Sequence, residues 1–409
     1  MKHFAILGAG ITGTTTAWAL RQQGYDVTVI ERHRYPAMET SYANGGQLSA
    51  SNAEVWTNIG TMIKGLKWMF KSDAPLLMNP RPSWHKYSWM AEFAGNFRNY
   101  ERNTIKTTEM AIESRKHMRD FAEEAGIPFD REDCGILHFY KKESEFNHAH
   151  KVSKMLAKGG LERQRLTPDE VYAIEPALQS PVIGGYYTES DFTGDIHKFT
   201  RGLANAAARA GVTFVMNATV TDVKHNENGP QIFWQTLNGD VVDQQFDGVV
   251  VTAGVGSRKL ANALGDRVNV YPVKGYSITV DLDDAGSQQA APTVSLLDDE
   301  AKIVTARLGK DRFRVAGTAE INGVNYDIRA DRIAPLTTWV QKNFPGVSTD
   351  SVTPWAGLRP MMPSMMPRIG PGRKKGVFYN TGHGHLGWTL SCVSAHLVGN
   401  AVRAQDNQF

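Results

Sequence analysis

Short apolar runs punctuated by glycine open this chain, and their period changes from one segment to the next. Lys2 to Leu7 is an apolar run too short for a helix and predicts a buried strand. Ile11 to Gln23 follows with helical spacing and stops at Gly24, and Tyr25 to Glu31 predicts a second strand. From Glu39 to Trp56 the composition shifts to Ser, Asn, Gly and Ala, a loop too long for an ordinary connection and of the kind that carries function. Ser88 to Gly126 reads as helical, Cys134 to Tyr140 as a strand, and a polar helix continues to Lys158. Thr167, Pro168 and Glu170 mark a helix start, with the threonine as cap, proline at the first position and glutamate three residues on.

A second βα-rich region follows. Gly194 to Ala210 predicts a helix and Val212 to Met216 a strand, while Ile232–Leu237 and Val241–Phe246 flank Asn238-Gly239 as a hairpin. Asp247 to Ala253 is a buried strand ending at Gly254. Tyr271 to Leu282 and Ile303 to Ile321 alternate as strands of an antiparallel sheet do. Val377 to Asn380 is a last short strand before a helix from Trp388 to Arg403. One βα-rich part is therefore expected to draw on the beginning, middle and end of the chain.

Composition narrows the partners. With 409 residues, 41% of them hydrophobic, the chain has material for about two to three domains. A net charge of +3 with 21% charged residues excludes a disordered chain and a strongly basic nucleic-acid binder, so the expected partner is a small molecule. Cys134 and Cys392 are far apart and form no CxxC pair, which supports neither a disulfide scaffold nor a zinc ribbon and fits a reducing cytoplasm. The opening MKHFAILGAG reads as neither signal nor transit peptide. No run approaches the roughly 20 apolar residues of a membrane span, so membrane contact is expected to be peripheral.

The first chemistry-bearing motif is Gly8-Ala9-Gly10-Ile11-Thr12-Gly13, a GxGxxG set between strand and helix, with Glu31 closing the next strand. Gly8 permits the tight turn, Gly10 lets backbone approach a pyrophosphate, and Gly13 brings helix and strand together. The helix N-terminus, at Ile11 and Thr12, then faces the anion. Glu31 suits a ribose hydroxyl and disfavours a 2′-phosphate, so Arg32, His33 and Arg34 read as a solvated loop face, with Arg32 kept among the residues beside the cofactor. The motif leaves FAD and NAD both open.

Three further segments carry a resemblance: ETSYANGGQLSASNAEVW (Glu39–Trp56), GDIHKFT with YPVKGYSIT (Gly194–Thr200 and Tyr271–Thr279), and WAGLRPMMP with NTGHGHLGWTLSC (Trp355–Pro363 and Asn380–Cys392). Together with the N-terminal motif they resemble the D-amino acid dehydrogenase branch of the D-amino acid oxidase family of flavoproteins, in order and over nearly the whole chain. The resemblance implies an α/β fold: a Rossmann-like FAD-binding domain of glutathione-reductase type (1–85, 190–268 and 350–409), and a substrate domain on an antiparallel sheet (86–189 and 269–349). It also implies FAD-dependent oxidative deamination of D-amino acids to 2-oxo acids and ammonia, with electrons passed to a respiratory acceptor such as quinone. Two alternatives stand beside it: a flavoenzyme of secondary amino acids such as sarcosine, D-proline, hydroxyproline or an opine, and a flavin-binding subunit of a larger complex.

By resemblance, Thr40, Ser41, Asn44, Gly45, Gly46, Gln47 and Leu48 line the flavin's phosphate, ribityl and ring edge, and Ala253 and Gly254 border the cofactor too. Small residues suit close backbone approach to a flat ring. Thr381-Gly382-His383-Gly384-His385-Leu386-Gly387 precedes the helix at Trp388, so its amides form a positive pocket for the charge of a reduced flavin. His383 and His385 also invite a metal reading, but no nearby carboxylate or cysteine completes such a site and no metal is expected. Arg359 in GLRP is the expected grip on the substrate carboxylate through two parallel hydrogen bonds, with Tyr276 of KGYS adding a hydroxyl. After GLRPM, where the dehydrogenases carry a polar, aspartate-containing turn, this chain has Met362-Pro363-Ser364-Met365-Met366-Pro367, which implies a more apolar wall.

The expected step is hydride transfer from Cα of a neutral amine to the flavin, and hydrolysis of the resulting imine. No GxSxG, HExxH or P-loop competes for the site. Cys392 is expected to be packing. Met62 to Lys71 mixes lysines with Met, Trp and Phe and is the candidate for peripheral contact with the inner membrane face near quinone.

Overall fold

Two large sheets organise the computed structural model, which describes residues 1–58, 60 and 76–407. The amphipathic segment Met62–Lys71 lies outside the described residues. In spatial order the first sheet runs Arg368–Pro371, Val377–Thr381, Gly248–Val251, His3–Leu7, Asp26–Ile30 and Thr213–Val215, and only its edge strand Arg368–Pro371 is antiparallel. Successive side chains of a strand face opposite ways. Phe4, Ile6, Val27 and Val29 therefore pack on helices Ile11–Gln22, Ile196–Arg209 and Gly387–Asp406. Ala5, Leu7 and Ile30 pack on the other side against a three-stranded sheet, Thr219–Asn226, Gly229–Gln235 and Val241–Gln245.

The hairpin around Asn238-Gly239 forms as its sequence predicts. Its third strand, Thr219–Asn226, has no such signal: TVTDVKHN is largely polar and only Val223 is buried. The helical stretch predicted from Ser88 to Gly126 divides into Trp84–Gly95 and Tyr100–Ala125 around a 3₁₀ turn at Phe97–Asn99, because Gly95-Asn96 is a poor place to continue a helix. At Thr167 the cap is reciprocal: the hydroxyl accepts the Glu170 N–H and the Glu170 carboxylate accepts the Thr167 N–H.

The second sheet has nine strands, in the order Val352–Met361, Tyr271–Asp281, Arg312–Ile321, Ile303–Arg307, Ser295–Asp298, Ile136–Tyr140, Gly184–Thr188 and Gln164–Leu166, with Leu76–Met78 beside Arg312–Ile321. It is mostly antiparallel, as the alternating pattern predicts. Helix Ala330–Asn343 covers one face and buries Leu336, Trp339 and Val340 against Tyr276, Ile278, Phe313 and Val315. The other face looks toward the first sheet.

Strands Val352–Met361 and Leu76–Met78 are hydrogen-bonded into this second sheet, whereas the sequence places 350–409 and 1–85 with the nucleotide-binding part. Pro354 and Pro360 disguise the first of them, and its edge position is where a sheet tolerates proline.

Candidate active site

A cavity of about 760 Å³ lies between the two sheets. Gly8, Gly10, Ile11, Thr12, Glu31, Arg32, Thr40, Ser41, Asn44, Gly45, Gly46, Gln47, Ala253, Gly254 and the run Gly382 to Trp388 all border it, as do Arg359 and Tyr276. Segments remote in the chain thus meet around one space.

At one end, the first βα turn has the geometry its glycines predict. Gly8 sits at φ 109°, and a Cβ on Gly13 would lie 1.9 Å from the Gly8 carbonyl oxygen, so Gly13 serves helix-to-strand contact and does not border the cavity. A Cβ on Gly10 would meet only Ser41 Oγ, at 3.5 Å. Ser41 Oγ accepts the Ile11 N–H at 3.0 Å. Glu31 accepts the Ala9 N–H at 2.6 Å and the His33 N–H at 2.9 Å, which fixes its carboxylate at the cavity edge. Arg32 pairs with Glu39 and with the Tyr326 hydroxyl.

In the Asn44–Leu48 loop, Asn44 to Gln47 border the cavity as expected and only Leu48 departs from expectation. Added Cβ atoms on Gly45 and Gly46 would come within 2.4 Å of Val304 Cγ2 and 2.7 Å of Ala306 Cβ, so these glycines let the loop lie flush on strand Ile303–Arg307. Leu48 points away from the cavity into the core with Phe192 and Phe199. At the far end of the chain, Gly382 (φ 78°) and Gly384 (φ 59°) turn the backbone into a 3₁₀ turn and then helix Gly387–Asp406. His383 Nε2 is 3.0 Å from Ser394 Oγ, and His385 stacks on Trp56. Burial pulls His383 down to about 3 and His385 to about 4, so both are neutral. Cys392 packs against Met118, its thiol pushed up to about 12 by burial.

Arg359 projects from strand Val352–Met361 into the cavity. The neighbouring strand leaves it space, because a Cβ on Gly275 would lie 2.4 Å from the guanidinium carbon. Nη1 donates to the Thr318 carbonyl at 2.9 Å, and no carboxylate pairs with Arg359 among the described residues. Burial alone pulls it down to about 10, so it remains cationic at neutral pH. Arg359 is half-buried in the cavity wall, and a cation drawn out of bulk water without a counter-ion is a place for an anion.

Tyr276 does not converge on Arg359. Its hydroxyl donates to Glu320 Oε2 at 2.9 Å, within a buried group that includes Lys274 Nζ, 3.0 Å from the same carboxylate. Strand alternation puts Gly275 and Ser277 on the cavity side and Tyr276 with the core under helix Ala330–Asn343. Tyr276→Phe is accordingly expected to cost about 1 kcal/mol of stability and to leave substrate KM within about twofold in steady-state assays; a tenfold rise would return the tyrosine to the substrate.

Comparison with known proteins gives this geometry a lineage. A profile described as FAD dependent oxidoreductase matches residues 3–401. The chain belongs to that family. It is similar to "D-amino acid dehydrogenase 3" of Mesorhizobium japonicum, 57% identical over 404 residues that cover 98% of this chain and 97% of that one. It is also similar to a D-amino acid dehydrogenase of Paramagnetospirillum magneticum, 40% identical over 409 residues (97% and 94% covered). Its fold is that of glycine oxidase from Geobacillus kaustophilus, with TM-score 0.77, 20% identity, and 99% and 95% of the two chains covered.

The cavity fits the cofactor of this FAD-dependent family. Gln47 Oε1, Thr318 Oγ1, His385 Nε2 and Trp388 Nε1 border it and are buried without a hydrogen-bond partner among the described residues. Buried polar atoms are rarely left so. Together with the open position at Gly10 and the carboxylate of Glu31, they provide the backbone approach and polar contacts that a dinucleotide with a flat ring requires.

Several residues of the wall, Trp89 and Phe93 among them, carry no sequence signal of their own. Trp89, Phe93, Met361 and Met365 form an apolar lobe near Arg359, to which the methionine-rich turn contributes as its composition implies. Ser49, Ser51, His138, Tyr140, Asp299 and Lys302 border a polar lobe. Only a histidine inside the otherwise apolar strand ILHFY hinted at the latter.

Proposed function

We propose that this enzyme oxidatively deaminates D-amino acids to 2-oxo acids and ammonia, with FAD held by the first βα turn, the Thr40–Gln47 segment and the Gly382–Trp388 segment. The observation that carries the reading is Arg359, a cavity-facing guanidinium with no carboxylate partner among the described residues. It holds the substrate carboxylate through two parallel hydrogen bonds and so presents Cα–H in one orientation. The relatives named D-amino acid dehydrogenase support the choice of substrate. When bound, FAD supplies the hydride-accepting chemistry, and the protein supplies binding and orientation.

The apolar lobe of Trp89, Phe93, Met361 and Met365 receives the substrate side chain, which favours uncharged side chains. Anaerobic bleaching of the flavin is expected with D-alanine and D-methionine and not with D-proline, sarcosine or L-alanine. Bleaching by sarcosine or D-proline alone would move the enzyme to the secondary amines, and bleaching by none would leave a flavin-binding subunit.

Electrons pass from the enzyme to a quinone, at the inner face of the membrane and by peripheral contact from the cytoplasm. No helix among the described residues is long and apolar enough to cross a membrane. Cell fractionation is expected to show enzyme released from membranes by salt or detergent, whereas rapid reduction of oxygen by a fully soluble protein would refute this acceptor.

A further inference from the structure

The polar lobe of the cavity contains a line of groups that carboxylate binding and hydride transfer leave unused. Ser49 Oγ and Ser51 Oγ are 2.9 Å apart, and Ser51 Oγ is 2.9 Å from His138 Nε2. On its other side, His138 Nδ1 faces Asp299 Oδ2 at 3.7 Å. With Nδ1 turned toward the carboxylate, the tautomer that carries its hydrogen on Nδ1 is the favoured one, and in it Nε2 accepts the Ser51 hydroxyl. The serines are held in place through Asp191, which accepts the Ala50 and Ser51 N–H groups at 2.9 and 3.0 Å and is itself paired to Arg115 at 2.6 Å. All four side chains of the line border the same cavity as Arg359.

The geometry points to Ser51, His138 and Asp299 as a relay that takes the proton from the substrate ammonium before hydride transfer. This rests on the reading of the enzyme as an amino acid oxidoreductase. A free amino acid enters as an ammonium, and only the neutral amine, with its lone pair, drives hydride from Cα. In the relay the ammonium N–H bond breaks toward Ser51 Oγ as the Ser51 O–H proton moves to His138 Nε2. The net change is one proton moved from nitrogen to imidazole, with no electrons exchanged. Asp299 remains ionised and stabilises the imidazolium.

The surroundings suit that role. His138 is faced by Asp299 and Lys302 from the turn after Ser295–Asp298, by Arg163, by Asp191, and by Tyr140 of its own strand. Burial draws the imidazole below its ordinary value, so it rests neutral at neutral pH, while Asp299 opposes that shift and favours the imidazolium once a proton arrives. Burial would raise Asp299, but Lys302, 3.1 Å away, with His138 and Tyr140 holds it well below the carboxylate range.

The test is the pH dependence of flavin reduction by D-alanine in anaerobic single turnovers of the FAD-loaded enzyme. The native enzyme is expected to be nearly flat between pH about 6 and 9, whereas H138Q is slower by about 10²-fold at neutral pH and S51A by about tenfold. In both, the rate should climb about tenfold per pH unit, following the neutral fraction of the substrate's own amine. Binding of 3-phenylpropionate, which has the carboxylate and no amine, should be unchanged in both and identifies a folded site; if H138Q fails to bind it, S51A carries the test. Variants that keep the native profile shape would overturn the relay. Absence of any reduction in the native enzyme would instead refute the underlying reading.

Discussion

Replacing Arg359 with alanine is expected to lower kcat/KM for D-alanine by about 10²–10³-fold. Two charge-assisted hydrogen bonds to a carboxylate are worth about 1.5–3 kcal/mol each, and the lower end of their sum already gives that ratio. Arg359→Lys should recover little of it, because an ammonium is a point charge that cannot span both oxygens while filling the space beside Gly275. The flavin spectrum and the thermal midpoint should change little in either variant, since the guanidinium makes one backbone hydrogen bond and no ion pair among the described residues. Stopped-flow reduction against substrate concentration separates weaker binding from slower chemistry. Unchanged affinity for the amino acid in Arg359→Lys would remove this residue from its assigned role.

The second large effect concerns two glycines of one motif that should fail in different ways. A methyl group on Gly13 would lie 1.9 Å from the Gly8 backbone oxygen, a clash that no side-chain movement relieves. Gly13→Ala is expected to destabilise the fold by about 3 kcal/mol or more, read as a lower thermal midpoint and poor yield even without FAD. On Gly10 the same methyl group meets only a serine oxygen at contact distance. Gly10→Ala should therefore fold normally and lose FAD on gel filtration, by about tenfold or more in affinity, because the obstruction falls on the pyrophosphate. Equal thermal loss in both apoproteins would contradict this division of labour.

The parts of the molecule that could be read from sequence are those where local pattern and local structure coincide. The first βα turn, the capped start at Thr167 and the Asn238-Gly239 hairpin each depend on neighbours in the chain, and each forms as predicted. Strand Val352–Met361 was hidden because its prolines are tolerated by an edge position that only the assembled sheet reveals. For Tyr276 the motif was visible but not the strand face, and alternation turns its hydroxyl to Glu320. The line from Ser51 through His138 to Asp299 joins three segments that no spacing rule connects. Gly45 and Gly46 were noticed for a correct property, lack of bulk, but the neighbour that demands it is a strand far along the chain.

The pairing of His3–Leu7 with Gly248–Val251, and of that strand with Val377–Thr381, has a consequence for biosynthesis. The first strand leaves the ribosome long before either of these, and the helix that packs on Ile11–Gln22 is made later still, with Ser391 accepting from Thr15 and Asp406 paired to Lys2. Until helix Gly387–Asp406 docks, the N-terminal turn lacks the Gly382–Trp388 side of the cavity. Non-local closure of this kind is slow and leaves apolar strands uncovered meanwhile. A nascent chain stalled before helix Gly387–Asp406 should therefore hold no cofactor however complete its N-terminal motif.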